Sequence, residues 1–330
     1  MIIKKPNSCV VLLTLRCNLH CSMCNLGDNH EDVSDYASLE DWIDFFDSLS
    51  ENCDESLNVI FGGGEPLLYK DKLITLVKYA AEKGFRTSLA TSGYLMDEET
   101  AYALGQAGLD YIAFTVYSLD KKKHDEIRRT DGALQMVKKS VEWLSKLAPQ
   151  VEIAVDTVIM KPNLRDLIKL TEWVKKDKRL SRIMFQAVMQ PFHTKPESAW
   201  YRKDEFSFLW PDIEEACRII DKLKDIKIKE NEKGEDTVVN SLSQFDVFKR
   251  YFSAPNEFVK KDVCMTHNNG HFGVLPNGAV TLCPYMKAVG NIKEQGIDEI
   301  LYGDCAGERR DEILRCHQNC HHVVNCWYEE

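Results

Sequence analysis

The sequence predicts an α/β protein with a small, loop-rich, cysteine-dense C-terminal part. Three observations lead there. Over roughly the first 190 residues, short apolar runs alternate with helix-patterned segments; the chain then changes to helices without strands; and six of its twelve cysteines lie from Cys264 onward. Strand–helix repetition of this kind means parallel strands joined by right-handed crossovers, in an open sheet or a barrel, complete or partial. The strands expected are Cys9–Leu15, Leu57–Phe61, Arg86–Ala90, Tyr111–Val116, Val151–Val158 and Arg182–Val188, short apolar or alternating runs bounded by turn residues. Between them the helical pattern covers Leu39–Leu49, Lys72–Lys83, Glu98–Gln106, Ala133–Leu147 and Asn163–Lys175. Gly84 stands where a helix C-terminus favours glycine.

Beyond Trp210 the spacing predicts one helix over Asp212–Leu223 and another over Val238–Tyr251, with the charged run Lys224–Lys233 as a solvated connector. Trp200, Phe206, Phe208 and Trp210 are expected to pack this linker. From Cys264 the chain turns loop-rich, with an apparent hairpin of Gly270–Leu275, a Pro276-Asn277-Gly278 turn and Ala279–Cys283. The division expected is residues 1–210, a helical linker over 211–262, and a small domain over 263–330.

Composition narrows the function. With 42 Lys+Arg against 52 Asp+Glu the net charge is −10, which speaks against binding to nucleic acid or membrane by electrostatics. The longest apolar run near the N-terminus ends at Arg16, short of a membrane span, and no small-residue cleavage site follows. A cytoplasmic protein is expected, and in that compartment thiols stay reduced. The cysteines then read as ligands rather than disulfides. Cys9, Cys53 and Cys217 are expected to be buried small apolar residues, Cys217 on a helical stripe with Ile213, Ile220 and Leu223.

Cys17, Cys21 and Cys24 form a CxxxCxxC immediately after the first strand. Three thiolates within eight residues leave a tetrahedral zinc site one ligand short, unless His20 or a distant residue completes it. They can hold three corners of a cubane iron–sulfur cluster and leave one iron for a non-protein ligand. After the second strand comes Gly62-Gly63-Gly64-Glu65-Pro66, where glycines let backbone approach a ligand closely and offer N–H groups. Thr91-Ser92-Gly93, Thr115–Ser118, Met160-Lys161 and Gln186–Gln190 close successive strands. All of these fall on the C-terminal edge of a parallel sheet, where such folds place ligands. Ser92, Thr115 and Gln186 are candidate partners for ligand hydroxyls, although each could equally cap a helix; Tyr117 could line the pocket or belong to the core.

On these motifs the chain resembles the radical S-adenosylmethionine (SAM) superfamily, whose CxxxCx(hydrophobic)C loop is matched by Cys17, Cys21, Met23 and Cys24. The resemblance implies a partial (β/α)6 TIM-type barrel. It also implies a [4Fe-4S] cluster on the three cysteines, with its open iron chelating the amino and carboxyl groups of SAM, Met23 near the adenine, and Gly63, Gly64 and Glu65 about the SAM amino group. Cys264, thirteen residues, Gly278, four residues and Cys283 resemble the opening of SPASM and twitch extensions, which hold auxiliary [4Fe-4S] clusters. Gly290-Asn291-Ile292 resembles the same region. A full SPASM domain continues CX2CX5CX3C and adds a cysteine; here Cys316-x3-Cys320-x5-Cys326 widens the first spacing. One auxiliary cluster is therefore expected, on Cys264, Cys283 and two of Cys316, Cys320 and Cys326, the spare one left open. A structural zinc knuckle over the same stretch, with His317, His321 and His322, is the alternative.

The implied mechanism is reductive cleavage of SAM by an electron from an external donor such as flavodoxin or ferredoxin, giving a 5′-deoxyadenosyl radical that abstracts a substrate hydrogen. The auxiliary cluster would accept or relay the electron of an oxidised product. Cys217 and Cys305 are candidate hydrogen donors to a substrate radical. Because the first strand starts at Cys9, leaving no room for an N-terminal peptide-binding module, a small-molecule substrate (oxidation or epimerisation) is expected over a ribosomally made peptide. An iron–sulfur electron carrier and a zinc-stabilised binding module are the readings from other classes; the carrier leaves Gly62–Pro66 without a purpose, and the zinc module leaves the open-cornered cysteine loop without one.

Overall fold

A computed structural model of the chain describes residues 5–28, 32–53, 56–191, 194, 197, 199–255, 270–316 and 324–325. Six parallel strands form the frame: β1 (Ser8–Thr14), β2 (Asn58–Gly63), β3 (Arg86–Thr91), β4 (Tyr111–Thr115), β5 (Glu152–Ile159) and β6 (Arg182–Ala187). Each pairs in parallel with the next, and β1 does not meet β6, so the barrel stays open. The helices α1 (Leu39–Asn52), α2 (Lys70–Glu82), α3 (Glu98–Gln106), α5 (Ala133–Leu147) and α6 (Leu167–Lys176) cover one face. Side chains alternate along each strand. Ile153, Val155 and Ile159 of β5 are buried in the core, whereas Glu152, Asp156 and Val158 are only partly covered and line the opposite, lumen face. This is a partial (β/α)6 barrel, and the six expected strands correspond to it within a residue or two.

Polar residues set the helix starts. Ser38 and Asp41 form a reciprocal capping box on α1, and Asp97 accepts the Thr100 N–H at 2.8 Å to start α3.

Three stretches differ from expectation. An additional helix, α4 (Lys121–Arg128), absent from the expected elements, buries His124, Asp125, Ile127 and Arg128. The run Lys224–Lys233 is not a connector but the second half of α7 (Ile213–Lys233). Its Lys227 and Glu230 are buried because they are paired: Lys227 Nζ donates to Val238 O at 2.8 Å, while Glu230 accepts Lys175 Nζ at 2.6 Å and Val238 N–H at 2.9 Å. Val238 in turn is not helical; it bridges to Ile183 of β6, and α8 begins only at Leu242 (Leu242–Ser253).

The hairpin forms as β7 (His271–Val274) and β8 (Ala279–Thr281), with β9 (Gly290–Asn291) after it. β7 pairs in parallel with β1, Ser8 opposite His271 to Val11 opposite Val274, so the sheet runs β6-β5-β4-β3-β2-β1-β7-β8-β9. Two helices, α9 (Ile297–Tyr302) and α10 (Asp304–Arg315), follow, and α9 packs on α1. In the linker Trp200 is fully buried and sits edge-on to Trp210, with ring centroids 5.8 Å apart, while Phe208 is exposed. No helix among the described residues is long and apolar enough to cross a membrane.

Candidate functional site

β1 delivers the cysteine loop. At its last residue, Thr14 Oγ1 accepts the Arg16 N–H at 3.0 Å and bonds Tyr36 OH at 3.1 Å, turning the chain out of the sheet. Each sulfur that follows receives one N–H: Cys17 from Leu19 N at 3.5 Å, Cys24 from Leu26 N at 3.5 Å and Cys21 from Arg128 Nη1 at 3.4 Å. Burial nevertheless pushes the Cys17 thiol up to about 12 and raises Cys24. Thiols this reluctant to ionise become thiolates when a metal displaces their protons.

The Gly62–Pro66 loop lies directly against this turn. Gly64 N–H donates to Thr14 O at 2.7 Å and Glu65 N–H to Arg16 O at 3.0 Å. A Cβ on Gly64 would stand 2.0 Å from Arg16 O, and one on Gly63, whose φ is +124°, 2.1 Å from Thr14 O. The glycines are thus needed for the loop to reach the end of β1, and the Gly64 and Glu65 amides are already donated within the protein. Fully buried, Glu65 ties the loop to the next one: its Oε1 accepts Thr91 Oγ1 at 2.7 Å and Leu67 N–H at 3.1 Å, and its Oε2 accepts the Ser92 N–H at 3.0 Å and the Ser92 hydroxyl. Ser92 is therefore engaged with Glu65, and the pair fixes the position of these two loops.

Arg128 is the site residue that the sequence does not announce. Besides Cys21, its Nη2 donates to Thr115 O at 2.7 Å, and its guanidinium lies 4.9 Å from the Tyr117 ring centroid. Burial works against its charge, but the Tyr117 and Cys21 neighbours outweigh it and hold the guanidinium protonated. His124 Nδ1 accepts the Tyr117 N–H at 3.2 Å, and burial, with Arg128 nearby, drives the imidazole down to about 3, so it is neutral. Ser22 N–H donates to Ile127 O at 2.9 Å, fastening the cysteine loop to α4. The signal was the i, i+4 pair His124–Arg128 on one helix face, masked by the surrounding charges.

Farther along the same edge, Thr115, Asp156 and Gln186 lie on the lumen face of β4, β5 and β6. Asp156 sits opposite Thr115, and Gln186 opposite Val158. The Asp156 Oδ1 is buried without a hydrogen-bond partner, and burial holds its carboxyl up at about 7. Arg86 and Arg182 both pair with Glu152 at the other end of the lumen, at 3.4 and 3.1 Å.

The remaining expected residues are dispersed. Met23 packs partly on the core. Cys217 is only partly buried, 3.7 Å from Ser253 Oγ on α8; Ile213 is exposed, and the buried stripe of α7 runs instead through Ala216, Ile220 and Leu223, so the expected core position is corrected. Cys305 is exposed on α10. Both are on helices rather than on the lumen face. Cys283 and Cys316 are partly buried, whereas Cys264, Cys320 and Cys326 lie outside the described residues.

Among the described residues no three His, Cys, Asp or Glu side chains are grouped as ligands of a single ion. Sulfurs that bind three different irons of a cubane stand farther apart than ligands sharing one ion, and the buried, unpartnered Asn18 Oδ1 and Ser22 Oγ leave polar atoms on the same loop for a bound group. The donor set fits a [4Fe-4S] cluster better than zinc.

A family model described as the radical SAM superfamily matches residues 11–174, and one described as an iron-sulfur cluster-binding domain, SPASM, matches 264–327. Similar curated proteins include an Fe-coproporphyrin III synthase of Methanosarcina barkeri (strain Fusaro / DSM 804), 29% identical over 173 residues that span 52% of this chain and 42% of the synthase. A PqqA peptide cyclase of Granulibacter bethesdensis (strain ATCC BAA-1260 / CGDNIH1) is 28% identical over 170 residues, 52% of this chain and 44% of the cyclase. The chain thus matches less than half the length of these relatives. Among solved structures, Streptococcus suis SuiB bound to S-adenosylmethionine aligns with a TM-score of 0.69 at 15% identity, covering 93% of this chain and 68% of SuiB. The structure of anSMEcpe with bound AdoMet and Cp18Cys peptide aligns with a TM-score of 0.67 at 19% identity, covering 97% and 88%; at these identities the likeness shows the fold. The two family matches carry [4Fe-4S] clusters and SAM with them as cofactors. The chain belongs to the radical SAM superfamily of enzymes and carries a SPASM-type iron–sulfur domain toward its C-terminus.

Proposed function

We propose that this protein is a radical SAM peptide-modifying enzyme that abstracts a hydrogen atom from a peptide substrate, the electron then lost by the substrate radical passing to an auxiliary cluster. The observation that carries the reading is the cysteine loop: three sulfurs, each given one N–H, bonded through Thr14 and Arg16 to the Gly62–Pro66 turn. When bound there, the cluster and SAM supply one-electron cleavage of a carbon–sulfur bond and hydrogen-atom abstraction. Everything else is the protein's part. Cys17, Cys21 and Cys24 would hold the cluster, Arg128 places a fixed cation against one of its sulfurs, and Glu65 fixes the loops that would frame SAM. The lumen face of β4–β6, with Thr115, Asp156 and Gln186, is left for substrate.

The peptide reading departs from the small-molecule expectation. It is supported by similarity to PqqA peptide cyclases, including one of Methylocella silvestris at 30% identity over 164 residues. The similarity to an Fe-coproporphyrin III synthase supports a second reading, a tetrapyrrole substrate. In both, Cys264, Cys283 and two of Cys316, Cys320 and Cys326 hold the auxiliary cluster in a domain beginning near residue 263. A flavodoxin- or ferredoxin-type donor supplies electrons in the cytoplasm.

The hydrogen taken from substrate ends in deoxyadenosine, so the class of substrate can be read from it. Reconstituted protein, SAM and dithionite are incubated with either the peptide or the small-molecule fraction of perdeuterated native cells. Deuterium in deoxyadenosine from the peptide fraction alone is expected. Deuterium from the small-molecule fraction, or deoxyadenosine unlabelled with both, would overturn the peptide reading.

A further inference from the structure

β6 is the edge strand of the sheet. An edge strand presents alternate N–H and C=O groups that must find partners wherever they are buried. On β6 three successive outward positions are satisfied in both senses, the first by backbone and the other two by asparagine side chains. Ile183 N–H donates to Thr237 O at 2.8 Å, and its carbonyl accepts Val239 N–H at 3.0 Å. At Phe185 the Asn240 side-chain amide replaces a strand, accepting the N–H at 2.7 Å and donating to the carbonyl at 2.9 Å. At Ala187 the Asn325 amide does the same, accepting at 2.7 Å and donating at 2.9 Å, across 138 residues of sequence.

The first two devices belong to the strap that leads into α8. The third comes from the C-terminal segment, whose Val324 is fully buried and whose next residue is Cys326. Asn325 Nδ2 also reaches Met189 Sδ at 3.6 Å. Ala187, for its part, directly follows the lumen-facing Gln186. One side chain therefore joins the neighbour of a candidate cluster cysteine to the neighbour of a candidate substrate residue. Paired N–H···O and N–H···O=C bonds fix a segment along a strand as a ladder pair does, because a slip in either direction breaks both.

We infer that Asn325 is a positioning residue: its paired amide bonds to Ala187 set the register of residues 324–325 on the edge of β6, and through them the placement of the auxiliary cluster to which the next residue in sequence, Cys326, is a candidate ligand. This rests on the reading above, that the C-terminal cysteines hold a cluster.

The test uses the full-length reconstituted protein with N325A, N325D and, as a control on the same edge, N240A. N325D keeps an acceptor for the Ala187 N–H but sets a carboxylate oxygen against the Ala187 carbonyl. Three quantities are read: iron per chain, the potential and EPR signal of each cluster, and amide exchange at Phe185 and Ala187. We expect both Asn325 variants to speed Ala187 exchange at least about tenfold, the scale of losing one or two hydrogen bonds. They should leave the first cluster's SAM-dependent signal unchanged and shift the potential and signal of the second. N240A should speed exchange at Phe185 without moving the second cluster. Faster Ala187 exchange with an unchanged second cluster in N325A would make Asn325 an edge cap and overturn the inference. A wild-type protein with about four irons would instead overturn the two-cluster reading, and the inference with it.

Discussion

The C-terminal edge of the sheet is built in two ways. Along β1–β3 the loops are tied to one another by hydrogen bonds, and the buried polar atoms left over, Asn18 Oδ1 and Ser22 Oγ, lie on the cysteine loop itself. The Gly64 and Glu65 amides go to Thr14 and Arg16, the Glu65 carboxylate accepts four bonds from Leu67, Thr91 and Ser92, and each of the three sulfurs has an N–H donor. Along β4–β6 the lumen face is partly open, and the Asp156 carboxyl has an unpartnered buried oxygen. A site that must hold one fixed cofactor geometry gains when its loops are ordered beforehand, because ordering then costs nothing at the moment of binding. A wall that receives a substrate keeps its polar atoms available. Substitutions in the two halves should therefore differ in what they damage.

Gly64→Ala strikes the committed half hardest. Its Cβ would meet Arg16 O at 2.0 Å, a backbone atom that can yield only by moving the cysteine loop. Loss of most first-cluster iron and at least a ~100-fold fall in deoxyadenosine formation are expected, the scale of misplacing reacting groups by about an ångström; a fully loaded variant with wild-type cleavage would break the account of this loop. Glu65→Gln places an NH2 group where two acceptors are required. It should lower apoprotein stability by about 2–3 kcal/mol, the cost of leaving buried donors unpaired, and weaken SAM binding; equal denaturation midpoints for the two proteins would contradict it. Arg128→Met removes the cation beside Cys21 and should move the first cluster's midpoint potential negative, read by EPR-monitored titration, with iron content near wild type.

Asp156→Asn probes the open half and should spare the first: uncoupled deoxyadenosine formation and SAM affinity stay within about twofold of wild type. A tenfold loss of SAM affinity would place Asp156 with the cofactor instead. Its carboxyl is raised by burial from 3.8 to about 7, so the folded protein holds this proton more tightly than the unfolded chain. Stability of the wild-type apoprotein should therefore fall as pH rises from about 4 to about 7 and then level. The Asn variant, free of that linkage, should be the more stable protein at pH 8 by up to about 4 kcal/mol, with the gap closing toward pH 4. Unfolding curves at several pH values check this.

Much of the committed half was legible in the sequence, and for physical reasons. A CxxxCxxC and a GGGEP each directly after an apolar strand place their chemistry on one sheet edge whatever the strand order, and glycine runs mark close backbone approach. The strands showed because their core-facing side chains must be apolar. What stayed hidden depends on pairing at a distance. Lys227 and Glu230 look like solvent-facing charges until Lys175 and Val238 are seen beside them. The helix over Lys121–Arg128 has no place among the expected elements, because its buried His124 and Arg128 stand among exposed charges. The pairing of β1 with β7 joins residues 8 and 271, and Asn325 reaches Ala187; neither has a local period to announce it. The small-molecule expectation rested on a missing segment, and an absence of that kind carries no chemistry.

The measurement that tests the central claim most directly is iron, sulfide and zinc content after anaerobic reconstitution, followed by SAM and dithionite with deoxyadenosine assayed. About eight irons per chain, no zinc and deoxyadenosine release are predicted. Zinc in place of iron, or full clusters that leave SAM intact, would contradict it.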